Sequence, residues 1–95
     1  MNKGTDYLLK YVSNDTYKKI LNKNYSYTID SLVDNRVDVD LNIRYLIRLG
    51  VSNIDKIILE RLDDLLLSNM EFEDKMNQYI EKLSKDGLID MLDNS

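Results

Sequence analysis

The sequence predicts an all-α protein, a small bundle or a two-unit stack of helical hairpins holding about five to seven short helices. Three observations carry that expectation. Proline, the strongest helix breaker, is absent from all 95 residues. The apolar residues recur at helical spacing and nowhere alternate over the length of a strand. The tripeptide Val-Ser-Asn occurs twice, at Val12-Ser13-Asn14 and Val51-Ser52-Asn53, 39 positions apart, a separation typical of helical repeats. It divides a single helical domain, 1–95, into degenerate units 12–50 and 51–87.

Tyr7, Leu8, Tyr11 and Val12 form a first short stripe, and Ser13 offers a cap for a helix carrying Tyr17, Ile20 and Leu21. The chain breaks at Asn22 to Asn24. Ser26 then caps a third helix in which Tyr25, Ile29, Leu32 and Val33 share one face, ending near Asn35-Arg36. The next helix, about 38 to 49, shows Val39, Ile43, Leu46 and Ile47 on one stripe and Leu41, Tyr45 and Leu49 on another. Two stripes predict burial on two sides, at the centre of the domain. Asp40, Arg44 and Arg48 follow at i, i+4 steps on the remaining strip, with both arginines outward, and Gly50 supplies a left-handed cap.

Ser52 and Asp55 approximate a capping box for a helix bearing Ile54, Ile57, Ile58, Leu62, Leu65 and Leu66. A tight turn is expected at Asp63-Asp64, with Ser68 or Asn69 capping the next helix. Phe72, Met76, Tyr79, Ile80 and Leu83 then mark the clearest helix, which Gly87 should cap before a closing turn of Leu88, Ile89 and Leu92.

Composition removes several kinds of function. Neither cysteine nor histidine is present, so disulfides, thiolate chemistry, imidazole catalysis and nearly every zinc site are excluded. Asp34, Asp38 and Asp40 do not make a calcium loop, because the sixth and twelfth places counted from Asp34 hold Val39 and Tyr45. These acids, like Asp63-Asp64, read as helix caps and solvated turn residues. No catalytic residue, cofactor or metal ligand is expected. The polar opening Met1 to Asp6 is unlike a secretion signal and no apolar run approaches the length of a membrane span, so the expected location is cytoplasmic. The absence of alanine beside abundant Asn, Lys, Ile and Tyr fits an AT-rich coding sequence, such as that of a low-GC bacterium or a phage or mobile element within one.

Segment 46–83 resembles one repeat of the mitochondrial transcription termination factor family, in which leucine-glycine-aliphatic-serine precedes a helix, a turn, a double leucine and a second helix. The corresponding residues are Leu49-Gly50-Val51-Ser52, then Ile57-Ile58-Leu59, Leu65-Leu66, and Met76, Ile80 and Leu83. About 40 residues carry the pattern, without the proline that the family places before its double leucine. The resemblance implies helical hairpins and, in the family, nucleic-acid binding on a basic surface.

The net charge of −4 is unevenly spread: residues 62–95 hold nine Asp and Glu against three Lys, while all four arginines lie between 36 and 61. A nucleic-acid binder is more often basic overall, so the imbalance favours a protein partner. Candidate partner-binding residues are Arg36, Arg44, Arg48 and Arg61, with Tyr11, Tyr17 and Lys18 from a tyrosine- and lysine-rich opening that also holds Tyr7, Lys10, Tyr25 and Tyr27. Those tyrosines could instead face the core with their hydroxyls at its rim. The expected function is a small non-enzymatic regulatory or adaptor protein. The alternative is a helical-repeat module for nucleic acid.

Overall fold

A computed structural model of the chain describes residues 4–94. A 3-10 turn, Asp6–Lys10, leads into α1 (Asn14–Lys23), α2 (Ser26–Asp34), α3 (Arg36–Leu49), α4 (Ile54–Glu60), α5 (Leu62–Leu65) and α6 (Asn69–Asp93), with no strand among the described residues. α3 packs against α2, α4, α5, α6 and the 3-10 turn, while α1 lies on α4. The central helix is thus the one that the sequence marks as central.

It is buried over one broad arc rather than two stripes. Val39, Asn42, Ile43, Leu46 and Leu49 fill that arc, and Tyr45 lies half-buried at its edge, its ring edge-on to Phe72 at 5.7 Å. Ile47 sits about 100° round the helix from Leu46 and is 47% exposed, so its expected place in the core is wrong. Leu41 is exposed as well.

Several helix ends follow their local chemistry. Ser13 Oγ accepts from Thr16 N, and Gly50, at φ 105°, ends α3 in the left-handed region that lacks a penalty only for glycine. Ser68 caps α6: its Oγ accepts from Glu71 N, and its hydroxyl donates to Glu71 Oε1 at 3.0 Å, which holds the two side chains together at the helix start.

Others differ from expectation because distant carboxylates take over. Asp55 does not cap α4; it accepts from Ser13 N and Thr16 Oγ1, across the α1 packing. The N–H groups of Ser52 and Asn53 donate instead to Asp93, near the end of the chain, at 3.0 to 3.2 Å. Both Val-Ser-Asn starts therefore meet a long-range aspartate. The N-cap of α2 is Tyr25, not Ser26. The break after α4 falls at Arg61, two residues before Asp63; Asp64 just beyond it pairs with Lys75 at 2.7 Å and with Arg61 at 3.7 Å.

The last departure is at α6. Gly87 does not end it; the break is at Ser84, whose φ of 69° and ψ of 169° interrupt an otherwise helical run to Asp93. A non-glycine residue there costs on the order of 1–3 kcal/mol. Ser84 Oγ accepts from Gly87 N at 3.2 Å, so the serine recaps the helix that resumes after it.

Candidate binding face on the central helix

With its buried arc committed to the core, α3 turns Val37, Leu41, Arg44 and Arg48 outward at i, i+4, i+7 and i+11. Arg36, Asp40 and Ile47 flank this stripe. A valine and a leucine exposed between arginines form an apolar strip with cationic borders.

Asp40 organises one border. It accepts from the Tyr11 hydroxyl and from Lys10 Nζ at 3.2 Å, and pairs with Arg44 Nε at 3.0 Å, while Arg44 Nε also lies 3.3 Å from the Tyr11 oxygen. This four-residue cluster fastens the amino-terminal turn to α3 and fixes where Arg44 can point. Burial alone would raise the pKa of Asp40, but the hydrogen bonds from Tyr11 and Lys10 and the charges of Lys10 and Arg44 outweigh it and hold the carboxyl below its ordinary value.

A depressed carboxylate contributes stability that is present above its unfolded pKa of about 4 and is lost as pH falls through the lower folded value. Asp40→Asn should therefore melt below the wild type at neutral pH, with the gap closing in acid. Thermal melts of both proteins across that range check this, and a gap independent of pH would show that the cluster does not couple to the charge.

Beside the cluster, Tyr7, Lys10, Arg36, Val37, Asp40 and Leu41 line a recess of about 270 Å³. The Tyr7 hydroxyl donates to Leu32 O at 2.8 Å beneath it, and burial, reinforced by Asp40 and opposed by Arg36, pushes that phenol well above its usual pKa. Farther along, Arg48 shares a second recess of about 290 Å³ with Tyr45, Leu49, Glu73, Ile80 and Lys85, where α3 meets α6.

The sequence-predicted binding residues divide. Arg36, Arg44, Arg48 and Tyr11 come together on or beside this face. Arg61 does not; it sits at the α4–α5 break against Asp64. Tyr17 is only 5% exposed, its hydroxyl 2.8 Å from Thr5 Oγ1, so it does not belong to this face. Lys18 is exposed on α1, where it borders a separate groove with Leu9, Asn14, Tyr17 and Leu21. The tyrosine-rich opening thus has two fates: Tyr7, Tyr11 and Tyr17 bond inward, whereas Tyr25 and Tyr27 stand 73% and 69% exposed, stacked at 5.6 Å.

Of the face's members, Val37 was not singled out by the sequence, and Leu41 was expected on a buried stripe but is exposed. Their signal was present, because they share the i, i+4, i+7, i+11 spacing with Arg44 and Arg48. Among the described residues no three acidic side chains gather as a metal site would need, and no helix is long and apolar enough to cross a membrane.

Comparison with family models, curated proteins and solved structures finds no match. The resemblance of 46–83 to a transcription termination factor repeat accordingly rests on its residue pattern.

Proposed function

We propose that this is a small non-enzymatic regulatory or adaptor protein that binds another protein through the outward face of α3. The observation that carries the reading is the exposed strip of Val37 and Leu41 set between Arg36, Arg44 and Arg48 with Lys10 at its edge. Interface centres are more apolar than their rims and enriched in arginine, and arginine's planar fork suits paired contacts to carboxylates. The fitting partner is an acidic polypeptide presenting apolar side chains at helical spacing. The missing thiol and imidazole side chains support the non-enzymatic part.

A second reading is nucleic-acid binding, favoured by the exposed Tyr25–Tyr27 stack, since such rings offer a sequence-tolerant platform for bases. The overall charge of −4 weighs against it.

One set of measurements separates them. Wild-type protein should show no appreciable affinity for duplex DNA or single-stranded RNA at physiological salt. Sub-micromolar binding that weakens steeply with added salt would promote the second reading. The double variant Arg44→Glu/Arg48→Glu should still melt cooperatively, lower than wild type by about 1–2 kcal/mol, because both positions are exposed and the lost pair, the repulsion from Asp40 and the opposed helix dipole are each on the order of 0.5 kcal/mol. It should nevertheless lose capture of the protein partner that immobilised wild type retains from nuclease-treated extract.

A further inference from the structure

We propose that residues 85–93 form an exchangeable arm, and that a second copy of this chain receives it in a reciprocal dimer in which 69–93 runs as one uninterrupted helix. The starting point is Ser84, the only non-glycine residue with positive φ among the described residues. Helical backbone flanks it on both sides, and the local sequence Leu83-Ser84-Lys85 contains neither proline nor glycine to impose a break. The local support for the break is the bond from Gly87 N to Ser84 Oγ, which caps the resumed helix without by itself requiring the strained backbone.

What demands it is the arm's seat. Leu88 and Leu92 are fully buried, and Leu92 lines a small cavity with Leu46, Ile57, Phe72 and Met76. Asp93 accepts the Ser52 and Asn53 N–H groups at the start of α4. The turn that allows this is tight: a Cβ added to Gly87 would lie 3.0 Å from Leu83 Cβ. Returning Ser84 to helical angles would restore the i to i−4 ladder through the hinge but lift Leu88, Leu92 and Asp93 off their seat. A lone chain cannot accept that exposure. Two chains can, because each seat takes the other's arm with the same contacts, and only the hinge changes. Strain relief at Ser84 then favours the dimer and lost translational freedom opposes it, so concentration sets the balance.

The chain has no cysteine, which leaves labelling clean. Donor-labelled Asn94→Cys and acceptor-labelled Ser52→Cys chains are mixed, unfolded and refolded together, in wild-type, Ser84→Ala and Ser84→Gly backgrounds, and examined by sedimentation and energy transfer. Ser84→Ala, which disfavours positive φ, should raise the dimer share several-fold over wild type, with transfer between the arm of one chain and the seat of its partner. Ser84→Gly, at ease with positive φ, should lower it. Equal dimer shares in the three backgrounds, or a dimer without transfer, would overturn the proposal. Should Ser84→Ala fail to melt cooperatively, wild type refolded at millimolar concentration decides. A slowly exchanging dimer with transfer supports the exchange, and monomer alone overturns it.

Discussion

Ile43→Asp should unfold this protein, while Ile47→Asp, one turn farther along the same helix, should leave a cooperative melt. Ile43 is fully buried in the core of α3, so aspartate there places a carboxylate among aliphatic side chains with no cation to pair. The charge must remain unsolvated or take up a proton, and either course costs more than a few kcal/mol, a large part of the total for a domain this small. Ile47 is 47% exposed. Aspartate there loses some apolar contact and opposes the dipole in the last turn of α3, together about 1–2 kcal/mol. Circular dichroism melts of the two variants check the pair, and unfolding of both would return Ile47 to the core.

The contrast shows what the sequence makes legible and what it hides. Helical period identified the central helix and most of the core, including Leu8, Ile20, Leu32, Leu46, Phe72 and Met76, because burial requires apolar residues to recur with the turn of the helix. The same rule misplaced Ile47. Counted from Val39 it stands at i+8, an allowed step, yet the buried arc is centred near Leu46 and extends toward Asn42 and Leu49, which leaves Ile47 beyond its opposite edge. A polar residue within the arc shifted its apparent centre.

Helix ends were legible where one residue decides them, as at Ser13 and Gly50, and illegible where a partner from another element decides them. Asp55 and Asp93 each cap a helix start that lies 42 and 41 positions away in sequence, respectively, a pairing that no local pattern can announce. The break at Ser84 was likewise illegible, and beyond it Leu88 and Leu92 are fully buried. The binding face fell between these cases. Its arginines were found by composition and spacing, but whether Val37 and Leu41 faced solvent depended on which side of α3 the remaining helices covered.

Asn42→Asp should be the most damaging change that scarcely alters shape. Asn42 is fully buried, donates from Nδ2 to Leu65 O at 3.0 Å and to Leu67 O at 2.9 Å, and accepts from Asn69 Nδ2 at 3.0 Å. With Asp38 accepting from Asn69 N, it ties α3 to the turn between α5 and α6. A carboxylate keeps the acceptor but replaces both donors, leaving two buried carbonyls facing a negative charge. An orphaned buried polar group costs about 1–3 kcal/mol, so the loss should reach roughly 3–5 kcal/mol at neutral pH. The setting disfavours ionisation and raises the introduced carboxyl's pKa in the folded state above its unfolded value. Its protonated form can donate again, so the variant should regain part of its stability as pH falls from the raised folded value to the unfolded one, hold it below that, and lose it as pH rises through the folded value. Denaturant titrations of Asn42→Asp against wild type at acid and neutral pH test this. A deficit of the same size at both would mean that packing, rather than the two donated hydrogen bonds, gives Asn42 its place in the core.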